Sequence, residues 1–245
     1  GAAGLFVTEA DGLTVGQTAT VTVKRVGLDG VTLTDQTDAG QSDLVSGGSL
    51  VLVTTAGGIQ SLAAGGAVTA QGNLLLGAGG AESDLVLGGT LLSAAGHVSV
   101  SAGRDVLQNA DITASGAAKS IEILAGRDIT MGAGTVTGSA GGDVRLEAGG
   151  SIALRTVSAG TGEVALMAGA AGSITDAANT TAVNITAGGL ILEAGVGIGA
   201  GANAIDTAVA PLSASAGSGG LFVIESDGLA IDTVTVAVSR VGPSG

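Results

Sequence analysis

The sequence predicts an all-β chain wound into a right-handed parallel β-helix of about ten turns, each of roughly 20–30 residues. Three observations predict it. Glycine supplies 46 of the 245 residues, and each glycine inside a helix costs about 1 kcal/mol. Polar and apolar residues alternate over four or five positions, which is typical of strands. Related segments recur about every 23 residues, which indicates units that stack on one another.

The composition excludes several other classes. A hydrophobic content of 45% is too high for a disordered chain. A net charge of −13 without a basic stripe argues against a nucleic-acid partner. The apolar runs are too short for a membrane-spanning helix, so we expect no insertion into a membrane. The absence of cysteine excludes disulfides and thiolate metal sites.

The short repeat predicts which side chains form the core. It appears as HVSVSAGRDVL from His97, SIEILAGRDIT from Ser120 and DVRLEAGGSIA from Asp143. Because alternate residues of a strand share a face, two columns of aliphatic residues are predicted to point inward. The first column is Leu50, Leu74, Val98, Ile121, Val144, Val164 and Leu190; the second is Leu52, Leu76, Val100, Ile123, Leu146, Leu166 and Leu192.

Each repeat is predicted to turn at a glycine. An alanine and then a glycine follow the two aliphatic columns, and this pattern indicates a corner where a Cβ atom has no room. The predicted corner residues are Gly103, Gly126, Gly149, Gly169 and Gly195. Between the inward positions lie outward ones, among which Glu122 and Arg145 are expected to form a surface ion pair.

A longer repeat joins the two ends of the sequence. Residues 4–27 are echoed at 220–242. The offset is 216 residues at the start of the match, and one residue is deleted within the second occurrence. We therefore interpret residues 1–245 as a single solenoid segment that holds about one long period and the start of the next. Two stretches fit the short repeat poorly, and 28–48 and 196–219 are predicted as irregular excursions. The facing of Phe6 and Phe222 stays open, because a shift of one residue would reverse it.

The repeat resembles that of a known group of proteins. The pattern in SIEILAGRDIT and DVRLEAGGSIA is similar to the repeats of filamentous haemagglutinin-type exoproteins, over about residues 49–195. Those are giant bacterial surface proteins and adhesins, many of them exported by two-partner secretion. The resemblance implies a fibrous stalk located outside the cell, at the bacterial surface. It carries no catalytic motif onto this chain.

The residues suggest one candidate metal site. Asp35, Asp38 and Asp43 cluster in a polar segment, and carboxylates at short spacing can bind Ca²⁺ through hard oxygen ligands. The D-x-D-x-D-G spacing of a calcium loop is absent, so the alternative is a solvated acidic loop. No other cofactor is expected.

No catalytic residues are predicted. Glu9 and Asp11 recur as Glu225 and Asp227, and paired carboxylates can cleave a glycosidic bond, as in some β-helix enzymes that act on polysaccharides. Glycine follows the aspartate both times, however, which is ordinary turn chemistry. His97 is the only histidine, and a single histidine supplies neither a triad nor a metal site. We expect that the chain is not an enzyme.

These observations favour a structural function. A rigid stalk, fibre or surface filament would form as β-helix turns stack. Its partners would be neighbouring repeats of the same chain, or identical chains stacked end to end, because strand edges at a solenoid end need covering. The alternative is an adhesin that binds host cells, other cells or polysaccharide through a side face. The remote alternative is the polysaccharide-acting enzyme.

Overall fold

The computed structural model describes residues 4–245 as an all-β parallel solenoid. Three sheets of nine parallel strands surround one core, and the eight steps from the first strand of a sheet to its last make about eight turns. Residues 1–3 of the predicted segment 1–245 lie outside the described residues. The described residues include no helix with the length and apolar character that crossing a membrane requires.

Each coil contributes one strand to each sheet, and strands are numbered in chain order. Sheet 1 contains β1 (Leu5–Glu9), β6 (Leu50–Thr54), β9 (Leu74–Ala78), β12 (Val98–Ala102), β15 (Ile121–Ala125), β18 (Val144–Ala148), β21 (Val164–Ala168), β24 (Leu190–Ala194) and β27 (Leu212–Ala216). Sheet 2 contains β2 (Leu13–Val15), β7 (Ile59–Ser61), β10 (Leu85–Leu87), β13 (Val106–Gln108), β16 (Ile129–Met131), β19 (Ile152–Leu154), β22 (Ser173–Asp176), β25 (Gly197–Ile198) and β28 (Gly220–Leu221). Sheet 3 contains β5 (Leu44–Ser46), β8 (Val68–Ala70), β11 (Leu91–Ser93), β14 (Ile112–Ala117), β17 (Val136–Ala140), β20 (Thr156–Ser158), β23 (Ile185–Thr186), β26 (Ile205–Ala208) and β29 (Val223–Glu225).

The core of sheet 1 consists of stacked aliphatic side chains. Equivalent residues of successive strands pair in register, as Val98 does with Leu74 on one side and Ile121 on the other. All fourteen residues of the two predicted columns are at most 1% exposed. Short branched side chains suit this narrow interior, because each has a like neighbour about 4.8 Å above and below it.

The corners after sheet 1 are tight because backbone packs on backbone there. A Cβ atom at Gly103 would overlap the carbonyl oxygen of Gly80, and one at Gly126 would overlap that of Gly103. The same crowding meets Gly149, Gly169 and Gly195. These glycines are required by the close approach of the coils rather than by an unusual φ angle.

Polar side chains tie the coils together just beyond these corners. Oδ1 of Asp84 accepts the backbone N–H of Asp105 at 3.2 Å, and Oδ1 of Asp105 accepts that of Asp128 at 3.1 Å. Oδ1 of Asp128 accepts the N–H of Ser151 at 2.7 Å. Arg104 donates from Nε and Nη2 to the two oxygens of Asp84, which lowers the pKa of that carboxyl. This ladder satisfies backbone donors that the sheets leave unpaired at the bend.

The structure has fewer turns than the ten predicted, because two segments leave the coil. Strands β3 (Val21–Val26) and β4 (Leu33–Asp38) form an antiparallel hairpin between β2 and β5. The predicted excursion 28–48 overlaps this hairpin but is placed too late in the sequence. The hairpin begins at Val21, and the chain has already rejoined sheet 3 with β5 at Leu44. Residues 233–245, which we call the tail, also lie outside the coil.

The structure differs from the sequence prediction at 196–219. This stretch holds β25, β26 and β27 and continues all three sheets. Ile198, Ile205 and Leu212 point inward and are buried, so two to five residues per side are enough to maintain the core. Its many small residues are compatible with a coil because the solenoid is narrow.

The long echo does not occupy equivalent places in the solenoid. Residues Leu5–Glu9 form β1 in sheet 1, whereas the matching residues 221–225 span the corner between β28 of sheet 2 and β29 of sheet 3. Phe6 is 50% exposed and Phe222 is 39% exposed, so both rings face outward. The alternating residues Val7 and Val223 pack against the core instead.

Candidate interaction site on the outer face of sheet 1

The tail lies across the outer face of sheet 1 and runs back towards the first coils. After an isolated bridge between Ile231 and Leu212, the chain leaves the end of sheet 1. Further along, backbone N–H groups of the tail donate to side chains of sheet 1 and its flanking corner, one coil after another. Ala237 donates to Oδ2 of Asp143 at 2.7 Å, Ser239 to Oγ of Ser120 at 2.9 Å, and Val241 to Oγ of Ser99 at 2.8 Å.

A charged pair fixes the tail at its centre. Arg240 donates from Nε to Oε2 of Glu122 at 2.7 Å and from Nη2 to Oε1 at 2.8 Å. The Glu122 side chain is only 4% exposed, while that of Arg240 remains largely in solvent. This two-point contact raises the pKa of Arg240. A bidentate guanidinium–carboxylate pair sets orientation as well as supplying attraction.

An apolar contact lies next to this pair. Val241 is 5% exposed and packs on Val51 and Leu75, which point outward from β6 and β9. Beside it remains a cleft of about 290 Å³ whose apolar wall includes Val53 and Leu124. The tail therefore buries part of an apolar outer face and leaves another part open.

A hydrogen-bond chain links the tail to the only histidine. Ser120 donates its backbone N–H to Nδ1 of His97 at 3.0 Å, and its Oγ lies 2.9 Å from the same nitrogen. Nδ1 therefore accepts, and the neutral imidazole fits this arrangement. Burial, and then the charge of Lys119, lower the pKa of His97. Oγ of Ser120 also accepts the N–H of Ser239, so the histidine is one residue removed from the tail.

The hairpin repeats the tail sequence in a different environment. Residues 18–27 read TATVTVKRVG and 233–242 read TVTVAVSRVG, with seven of ten positions identical. Every residue of β3 and β4 is exposed. Within the hairpin, Lys24 contacts Asp35 across the strands.

The structure does not bring the candidate calcium ligands together. Asp35 and Asp38 are both in β4, three positions apart, so they project to opposite faces of the hairpin. Oδ1 of Asp43 accepts the backbone N–H of Ala67 at 2.9 Å, next to sheet 3. In residues 4–245, no group of three or more potential ligand side chains is placed to hold a metal ion.

Three of the recurring carboxylates, Glu9, Glu225 and Asp227, accept hydrogen bonds from backbone N–H groups or, in one case, from a hydroxyl. Oε1 of Glu9 accepts the N–H of Ala10 at 2.9 Å. Oε2 of Glu225 accepts the hydroxyl of Thr207 at 2.7 Å and, more weakly, the N–H of Val209 at 3.2 Å. Asp227 accepts the N–H of Gly228 at 2.6 Å, as expected for an Asp-Gly turn.

The site on sheet 1 was not predicted from the sequence. Glu122 and Arg145 do pair in register, with Nη1 and Oε1 3.4 Å apart, but the tail covers Glu122 and the pair is not a surface one. A signal was present in SLVLV and NLLLG, where outward positions carry Val51, Val53 and Leu75. Outward positions of a solvated sheet are normally polar, so apolar ones indicate a covered face.

Comparison with known proteins gives no relative: no family model, no curated protein and no solved structure matches the chain.

Proposed function

We propose that this chain is a structural repeat segment of a giant bacterial surface protein, in which stacked β-helix turns form a rigid stalk or filament outside the cell. One observation carries the proposal. Three nine-stranded parallel sheets stack in register on one uninterrupted aliphatic core. Such an arrangement resists bending because every coil is hydrogen-bonded to its neighbours along the whole axis.

The first coil of the solenoid supports growth along the axis. Among residues 4–245, β1, β2 and β5 each pair with one strand only, so one row of backbone groups of each is open. Open strand edges pair readily with further strands. Neighbouring repeats, or identical chains, would continue the sheets there. The proposal includes no catalytic step and no cofactor, and the resemblance to filamentous haemagglutinin-type repeats supports the extracellular location.

Cryo-electron microscopy of the native assembly tests this proposal. We expect a filament with strong axial periodicity near 4.8 Å. We also expect antibodies against the chain to label intact cells. Isolated compact particles would contradict the fibre. Labelling only after the cells are opened would contradict the surface location while leaving the fibre intact.

A second function, adhesion, is favoured by the exposed hairpin. It carries outward apolar residues at Val21, Val23 and Val26, and every residue of β3 and β4 is exposed. Exposed apolar groups of this kind mark interaction sites. Binding of the intact chain to cells and to arrayed polysaccharides, compared with a Val21→Ser/Val23→Ser variant, tests it. Equal binding by both proteins would contradict a role for the hairpin.

A further inference from the structure

The hairpin presents the same backbone donors that the tail uses on sheet 1. Gly27 donates its N–H to the carbonyl of Thr32 at 2.7 Å, which makes these two a hydrogen-bonded pair. Because such pairs alternate along an antiparallel ladder, the N–H groups of Thr22, Lys24 and Val26 point away from β4. Their counterparts in the tail are Ala237, Ser239 and Val241.

Those three tail residues are the ones that donate to Asp143, Ser120 and Ser99. The free edge of β3 therefore carries donors at the spacing that the acceptors on sheet 1 accommodate. We propose that the outer face of sheet 1 is a docking site for β3 of a second copy of this chain, and that the tail covers this site within its own copy.

The side chains of β3 match the site as well as its backbone does. Arg25 takes the place of Arg240, opposite the buried carboxylate of Glu122. Val26 takes the place of Val241 against Val51 and Leu75. At present Val21, Val23 and Val26 are 57%, 55% and 60% exposed, so docking would remove apolar surface from water. The second strand of the hairpin would lie beside the tail's position, where the cleft is open.

The donor must come from another copy because of where the hairpin leaves the coil. It connects β2 of sheet 2 to β5 of sheet 3. In a three-sided coil that corner is opposite sheet 1, so a hairpin cannot reach the outer face of its own sheet 1. Donor and acceptor surfaces on opposite sides of one molecule make a heterologous contact, which joins rods side by side in an open series.

The tail has a large advantage over a second copy, because an attached segment acts at a high effective concentration. The test therefore separates the two surfaces onto two full-length proteins. The donor is the unaltered chain, whose own tail covers its site. The acceptor carries Arg240→Glu/Val241→Asp to release the tail and Arg25→Glu/Val26→Asp to disable its hairpin. Hydrogen exchange at Ala237 and Ser239 reports whether the tail is free.

Sedimentation of the mixture should show a one-to-one complex at about 100 µM total protein. A matched donor with Arg25→Glu/Val26→Asp should bind at least about tenfold more weakly, which is roughly 1.4 kcal/mol or more. No complex with the unaltered donor would overturn the proposal. Equal binding by both donors would also overturn it, since association through solenoid ends does not need Arg25.

A covalent trap gives a second reading, because the natural chain has no cysteine. The donor now also carries Val26→Cys, and the tail-released acceptor also carries Ser99→Cys. The two proteins should form an intermolecular disulfide. The matched control places the acceptor cysteine at Thr130→Cys, which is exposed on the outer face of sheet 2. At least about tenfold more product at 99 than at 130 is expected; equal yields would overturn the proposal. Either failure leaves the proposed stalk unaffected, since stacking along the axis does not use this face.

Discussion

Residues 20–27 and 235–242 are nearly the same sequence in two different environments. Both are extended, as expected from their alternating valine and threonine residues. The first is β3, in which the backbone N–H groups of Val21, Val23 and Arg25 point towards β4. The second makes no ladder, because its N–H groups donate to serine and aspartate side chains of sheet 1. Local sequence therefore sets the extended conformation, and the neighbouring surface decides which edge is used.

The same two segments show that identical residues can differ in burial. Val26 and Val241 are matching residues, yet the first is exposed and the second is buried. Arg25 and Arg240 also match, but only Arg240 contacts a buried carboxylate. A substitution should thus have a larger effect in the tail than at the matching position of the hairpin.

The largest difference is expected between the core beneath the tail and the hairpin. Ile123→Ala should lower the free energy of unfolding by about 2–5 kcal/mol, because it leaves a cavity in a fully buried column. Val23→Ala, in the exposed hairpin, should change it by less than about 0.5 kcal/mol. Urea unfolding followed by circular dichroism compares them. A loss at Val23 as large as that at Ile123 would mean that the hairpin packs on the solenoid.

The next largest effect concerns the two ion pairs. Glu122→Ala removes the partner of Arg240, and because that guanidinium is largely exposed the lost pair is worth about 1.5–3 kcal/mol in total. Hydrogen exchange at Ala237 and Val241 should accelerate about 10- to 100-fold. The matched change Asp35→Ala breaks the exposed pair with Lys24 and should leave exchange in the tail unaltered. Unchanged exchange after Glu122→Ala would mean that the backbone N–H donations and the packing of Val241 hold the tail without Arg240.

Much of the solenoid could be predicted from the sequence because its rules are local. Alternation identifies inward residues such as Val98 and Ile121, and repetition shows that they stack. The turn count could not be predicted, because nothing local shows that β4 pairs with β3 or that the tail leaves the coil. The site around Glu122 could not be predicted either, because its partner Arg240 is 118 residues away in sequence and no local pattern connects the two.

A smaller effect is expected from pH. Because the pKa of His97 is lowered in the folded chain, the unfolded chain binds the extra proton more readily. Stability should therefore fall as the pH drops through the ordinary value of 6.5. His97→Asn, which copies Asn73 of the preceding coil, removes the titrating group. Urea unfolding between about pH 8 and pH 5 should show the natural chain losing stability relative to this variant. Parallel curves would contradict the linkage.

The smallest effect, and the closest test of the comparison, comes from making the two segments identical. Ala237→Thr/Ser239→Lys converts residues 235–242 to TVTVKRVG, the sequence of 20–27. Both altered side chains are exposed, and both residues bind sheet 1 through backbone N–H groups that the substitutions retain. Hydrogen exchange in the tail should thus change by less than about threefold, roughly 0.6 kcal/mol. Tenfold faster exchange would show that β3 and the tail are not equivalent on this face, because the side chains at these positions would then be incompatible with it.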